Sequence, residues 1–271
     1  RDVHPVAPTY QEITSRSLTY AAAIKSADPS SWVAGPEDFG WAVYVGNPSL
    51  NGGLYNAIYY LQQMKAYEQA HGTRILDYFT EHWYPSPAGV IDFSQDPGTV
   101  NVQAARLRST RTFWDSTYRE ENWIGQYYPP VQLIRTFHKW VNENYPGTKI
   151  GITEYNWGGQ KSMNGALAQA DLFGIFGREA LDIATLWGPP DRAWPAANAF
   201  RIYCNYDGAG AKYGDTWARS TSSDQSSVAM YSSLRTSDGA LTIMVVNKSA
   251  TAQMAHVSLA HFTPAGKASG D

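Results

Sequence analysis

One cysteine in 271 residues, Cys204, excludes an internal disulfide framework and any cysteine-rich metal site. A lone thiol of this kind is expected to pack as a small buried hydrophobe. No apolar run approaches the roughly 20 residues needed to cross a bilayer. With 21 basic and 24 acidic residues the net charge is −3. That is too small for the electrostatic footprint of a nucleic-acid binder or for docking on an anionic membrane. The HExxH and EF-hand patterns are absent. Gly158-Gly159 ahead of Lys161-Ser162 lacks the spacing of a phosphate loop. Asp207-Gly208-Ala209-Gly210 with Asp215 comes nearest to an oxygen-rich calcium loop but reads as a turn. No metal or cofactor is therefore expected, with a structural calcium left open. The chain starts at Arg1 rather than Met, which fits a mature or cleaved N-terminus, and the missing signal peptide carries no weight about export.

What the chain does have is aromatics. Ten Trp, 18 Tyr and nine Phe make 14% of the sequence beside only 17% charged residues. Such an excess lines a carbohydrate cleft or fills a core, because a sugar ring stacks its C–H face on an aromatic plane. Hydrophobic content of 43% marks a globular chain.

Four strand–helix units can be read along the sequence. Strands are expected at Trp32 to Gly35, Arg74 to Thr80, Lys149 to Thr153 and Ile183 to Trp187. The helices following them are expected at Leu54 to Gln69, Pro130 to Tyr145, Gly165 to Leu181 and near Trp194 to Cys204. An irregular insert, roughly Pro85 to Tyr128, interrupts the second unit. Beyond about Tyr206 the pattern changes. A Ser/Thr-rich linker, Ser220 to Ser227, precedes antiparallel strands at Val228 to Leu234, Leu241 to Asn247 and Met254 to Leu259, with a turn at Ser237-Asp238-Gly239. Four βα units cannot close a barrel, which takes eight strands and roughly 250 residues. Either the sheet is open, or its other half lies on another chain.

Ile150-Gly151-Ile152-Thr153-Glu154-Tyr155-Asn156-Trp157-Gly158-Gly159 is the most informative segment. It reads as a buried strand ending at a Gly-Gly loop, with a carboxylate among aromatics. A (β/α) barrel places its chemistry at such strand ends. Tyr155 and Trp157 are then candidate walls for a flat, hydroxylated substrate, or else core aromatics. Glu37 and Glu81 are the other carboxylates in strand-end motifs. Glu37 is a candidate cleft residue. Glu81, which alternates away from its neighbours, is expected in an ion pair or a loop. Trp41, Tyr44 and Trp83 are candidates for further sugar contacts or for plain packing.

Thr153-Glu154-Tyr155-Asn156-Trp157-Gly158 resembles the nucleophile segment of glycoside hydrolase family 44, retaining endo-β-1,4-glucanases and xyloglucanases. Gly35-Pro36-Glu37-Asp38-Phe39-Gly40-Trp41 resembles that family's fifth strand end, His82-Trp83-Tyr84-Pro85 its sixth, and Leu186-Trp187-Gly188 its eighth. Asn198-Ala199-Phe200-Arg201 through Asn205-Tyr206-Asp207-Gly208 is similar to the entry into the last barrel helix, and Ser237-Asp238-Gly239-Ala240-Leu241-Thr242 to a hairpin of its β-sandwich.

The resemblance implies an α/β chain that is the C-terminal half of a (β/α)8 TIM barrel, residues 1–206, followed by a linker and part of an antiparallel β-sandwich, residues 207–271. It implies Glu154 as nucleophile, Trp187 as floor of the subsite holding the reacting sugar, and Tyr84 and His82 on the strand beside Glu154. The family's acid/base Glu lies in an Asn-Glu-Pro segment, which this chain lacks; Asn142-Glu143-Asn144 is the nearest string. The family's segment lies shortly before stretches like His4-Pro5 and Thr9-Tyr10, so the acid/base is expected just upstream of Arg1. The implied partners are a β-glucan chain and an N-terminal half of the enzyme, and the implied location is extracellular. A non-catalytic glycan-binding fragment and a barrel enzyme of another class remain alternative readings.

Overall fold

The computed structural model describes residues 6–266. His4 and Pro5 lie outside the described residues. Four parallel strands run in sequence order across one sheet: β1 Ala34–Phe39, β2 Tyr78–Trp83, β3 Lys149–Tyr155 and β4 Ile183–Leu186. Parallel neighbours require crossovers, and each connection carries a helix. Among the described residues the α-helices are α1 Tyr10–Ala27, α2 Trp41–Val45, α3 Asn56–His71, α4 Val100–Ser109, α5 Trp123–Tyr127, α6 Leu133–Asn144, α7 Met163–Arg178 and α8 Ala196–Cys204. A second, antiparallel sheet follows in the order β5 Thr216–Ala218, β6 Val228–Arg235, β7 Ala240–Asn247.

Local chemistry sets several boundaries. The Thr9 and Ser162 hydroxyls accept from the backbone N–H groups of Glu12 and Gly165, capping α1 and α7. Gly72 ends α3 at φ +70°. The alternation of strand side chains then assigns the faces. Phe79 of β2 meets Phe137 of α6 edge-on at 5.3 Å, and Tyr155 of β3 meets Phe176 of α7 at 5.3 Å. This helix-covered face holds the core. Thr80, His82 and Glu154 fall on the opposite face.

The second sheet docks on α7. Gly174 leaves the space that the Tyr231 ring fills: a Cβ there would come within 2.1 Å of it. Tyr231 and Lys248 reach Asp171 of α7 at 2.6 and 2.8 Å.

The four expected strands and four expected helices are present, with shifted ends. The second strand begins at Tyr78 rather than Arg74, because Ile75 and Leu76 are spent on the core before the ladder starts. The insert expected to be irregular holds α4 and α5, and α1 carries no apolar stripe strong enough to announce it. Met254 to Leu259 forms no strand; Met254 is 84% exposed, and no described element covers it. Cys204 is exposed at the last turn of α8 rather than packed inside. Asp207 makes a turn, its carboxylate accepting from the N–H groups of Ala209 and Ala211. Among the described residues, no helix is long and apolar enough to cross a membrane.

Candidate active site

The parallel strands deliver Glu37, His82, Tyr84 and Glu154 to one end of the sheet. The Tyr84 hydroxyl donates to Glu154 Oε2 at 2.9 Å. His82 Nδ1 lies 3.2 Å from the same oxygen, and its Nε2 lies 3.1 Å from Glu37 Oε2. One imidazole thus spans two carboxylates. A neutral ring has a single N–H and ionised carboxylates only accept. A neutral ring can therefore donate to only one of the two carboxylates at a time. Burial first, then the bond to Glu154 and its charge, raise the Tyr84 pKa. The phenol therefore stays a donor to Oε2.

Glu37 reaches this cluster by way of a bulge. The register of β1 on β2 slips between Pro36 and Asp38, leaving Glu37 as the extra residue, at φ +68°. That left-handed conformation costs an ordinary residue about 1–2 kcal/mol, and bulges re-aim side chains beside functional sites. Here the carboxylate turns toward β2 and β3, accepting from Thr80 Oγ1 at 2.6 Å and from Thr153 Oγ1. A second slip, in the β2–β3 pairing, brings Glu154 opposite His82.

Trp187 follows the end of β4. Its N–H donates to the Tyr155 carbonyl at 2.9 Å, and its carbonyl accepts from Asn156 Nδ2 at 2.7 Å. Its side chain is open to solvent, the residue being 54% exposed. Tyr84, Glu154 and Trp187 therefore stand at the C-terminal ends of three adjacent strands.

Other candidates are placed elsewhere. Tyr155 and Trp157, expected as substrate walls, are 1% and 2% exposed. The Tyr155 hydroxyl accepts from Gln169, and the Trp157 indole N–H donates to Ser109. Trp41 stacks on Trp140 in the core, ring centroids 5.9 Å apart. Tyr44 and Trp83 are buried too, and the Tyr44 hydroxyl donates to the His82 carbonyl. Strand alternation puts Tyr155 and Trp83 on the helix side, Trp41 and Tyr44 lie on α2 itself, and Trp157 is buried in the loop after β3. Glu81 is neither in an ion pair nor in a loop. It is fully buried on the helix side of β2, accepting from the Asp38 N–H at 2.8 Å.

Sequence reasoning missed the two threonines that hold Glu37. Thr153 adjoins Glu154 in the chain, but nothing in the sequence marks the bulges that bring the two hydroxyls to one carboxylate. A cavity of about 380 Å³ lined by Trp114, Arg178, Trp217 and Arg219 lies where the helices meet the second sheet, and shares no lining residue with this cluster.

Comparison with known proteins gives matches in sequence and in fold. The sequence model of glycoside hydrolase family 44 matches residues 1–87. Endoglucanase A of Paenibacillus lautus is 33% identical over 258 residues, which is 91% of this chain and 37% of that protein. The crystal structure of CelM2, a bifunctional glucanase-xylanase from a metagenome library, superposes with a TM-score of 0.86 at 41% identity, covering 92% of this chain and 50% of CelM2. A Paenibacillus polymyxa xyloglucanase of the same family, solved with xyloglucan, gives a TM-score of 0.82 at 32% identity over 91% of this chain and 50% of its own. In sequence and in fold, this chain is a match to glycoside hydrolase family 44 over about half the length of those solved structures.

Proposed function

We propose that this chain carries the nucleophile side of a retaining, endo-acting glycoside hydrolase that cleaves β-1,4-glucan-type polysaccharides. The observation that carries the reading is Glu154 at a strand end, with Tyr84 and His82 both on Oε2. Retaining hydrolysis needs a carboxylate that attacks the anomeric carbon and a second, roughly 5–5.5 Å away, that protonates the leaving oxygen and then activates water. Glu154 is the attacking group, and its two partners fix the carboxylate in place. Trp187 provides the exposed ring on which the reacting sugar stacks.

Glu37 is a poor choice for the second carboxylate. Thr80, Thr153 and His82 already occupy its oxygens. The acid/base is assigned instead to residues outside this chain, together with the strands that would close the sheet into a barrel. The open sheet supports that assignment. Trp32, Phe39 and Ile183 are 74%, 70% and 41% exposed, a large apolar area for a parallel sheet to leave in water. Residues 1–206 then supply half of the barrel, and residues 207–271 supply linker and sandwich strands. The names of the relatives, endoglucanase, glucanase-xylanase and xyloglucanase, support glucan, xylan or xyloglucan as the substrate class, and the same reading takes in cellulose derivatives, mixed-linkage glucan and an extracellular location. One observation favours a second reading: among the described residues Glu154 is the single uncommitted carboxylate at the strand ends, so by itself the chain would bind glycan without cutting it.

The test is covalent trapping. Incubating the complete enzyme with a 2-fluoro-β-cellobioside bearing a good leaving group should leave a glycosyl mass on the peptide containing Glu154. Labelling of any other carboxylate would remove Glu154 from the mechanism.

A further inference from the structure

On the helix side of β2, directly behind the site, lies a second set of acidic and phenolic groups. Glu81 is 0% exposed. Its Oε2 accepts from the Asp38 N–H at 2.8 Å, and among the described residues its Oε1 has no partner. Asp38 Oδ2 accepts from the Tyr10 hydroxyl of α1 at 2.7 Å. Burial, reinforced by Asp38, pushes the Glu81 carboxyl well above the usual carboxylate range, and burial raises Asp38 as well. A buried acid with an orphaned oxygen is costly, about 1–3 kcal/mol for the orphan alone. Packing does not explain it, because an apolar residue would fill the space.

The Asp38 N–H belongs to the residue just after the bulge. The slip in register takes this N–H off the ladder, and the Glu81 side chain receives it. From there the contacts run through the strained Glu37 at φ +68° to Thr80, Thr153 and His82, and from His82 to Glu154. We propose that Glu81 is a positioning residue: by holding the Asp38 N–H it locks the bulge that aims Glu37 at His82, and so sets the imidazole against Glu154. Tyr10 braces the same turn from α1. Glu81 touches no substrate; it acts through the backbone of β1. The consequence for catalysis rests on the reading of Glu154 as nucleophile; the network does not.

The test uses the complete enzyme with histidines labelled with ¹⁵N, comparing Glu81→Gln, which keeps an acceptor for the Asp38 N–H, with Glu81→Leu, which does not. His82 signals are assigned by their loss in His82→Gln. The expected result is a parent-like His82 tautomer pattern in Glu81→Gln and a changed one in Glu81→Leu. Glu37→Gln should change it in the same way, with no added effect in the double variant. In kinetics, Glu81→Leu should lower kcat about tenfold or more with KM little changed, and Glu81→Gln should stay within about threefold. Should Glu81→Leu fail to fold, the Asp38 amide of the parent decides. It should be protected from exchange and move in Glu81→Gln. A fast-exchanging Asp38 amide overturns the proposal. So does an unchanged His82 pattern in a folded Glu81→Leu, whatever its melting temperature. Normal turnover by Glu154→Gln with His82 still responding to Glu81 would defeat the reading of the nucleophile and leave the positioning network standing.

Discussion

Glu154 and Asp171 are both carboxylates held by a tyrosine hydroxyl and a nitrogen base, and they have opposite uses. Asp171 is 0% exposed, with both oxygens filled: Tyr231 on Oδ1, Thr110 and Lys248 on Oδ2. Lys248 is nearly as buried, its side chain 3% exposed. That closed set ties the second sheet to α7. Glu154 takes Tyr84 and His82 on one oxygen only, and its side chain is 26% exposed. Among the described residues nothing bonds Oε1. What separates a structural carboxylate from a candidate nucleophile here is an oxygen left open toward solvent.

The largest expected effect tests that difference directly. In the complete enzyme, Glu154→Gln should lower kcat by about four orders of magnitude or more, with polysaccharide binding and melting temperature largely kept. Stopped assays on soluble β-1,4-glucan and a binding isotherm check both halves of the statement. Lys248→Met should do the reverse. It leaves Asp171 buried without its cationic partner, costing about 3–5 kcal/mol of stability, while kcat per folded molecule stays within about twofold. Denaturant melts beside active-site titration would read it. A parent-like melt would mean that the Asp171–Lys248 pair does not hold the second sheet.

A smaller effect sharpens the account of Glu154. Tyr84→Phe removes one donor to Oε2 and keeps the ring, so kcat should fall about 10–100-fold with KM nearly constant. A change confined to KM would make Tyr84 a sugar contact instead.

The smallest effect concerns pH. The folded-state pKa of Glu81 is raised above its ordinary value of 4.5. The folded protein therefore binds the extra proton, and the stability contributed by neutral Glu81 is fully present below that value and is lost as pH rises. Glu81→Gln cannot ionise. Its stability relative to the parent should grow as pH rises above about 4.5, with a slope of at most about 1.4 kcal/mol per pH unit. Urea melts at several pH values check this, and a pH-independent difference would mean that Glu81 does not change its proton on unfolding.

Much of this was legible in the sequence. The alternation of apolar runs and helical spacing gave four βα units, because a residue's place on a strand or helix follows from period alone. The Thr153-Glu154-Tyr155 strand end marked the candidate nucleophile. Tyr84 and His82 were tied to it only through resemblance; in the structure both contact Glu154 Oε2. The aromatics were not separable. Trp187 and Trp157 look alike in sequence, yet one is half exposed and the other sealed against Ser109, since which ring faces helices depends on register and on what packs behind the sheet.

The sequence by itself determined the four βα units, the strand-end carboxylate and the absence of a disulfide framework, all of which rest on local periodicity and residue chemistry. Only the tertiary structure decided that Glu37 leaves the ladder, that His82 bridges two carboxylates, and that Glu81 stands behind them. A bulge shifts pairing by one residue and turns a side chain to the other face. That shift is a compromise between strands distant in sequence, so no single segment encodes it.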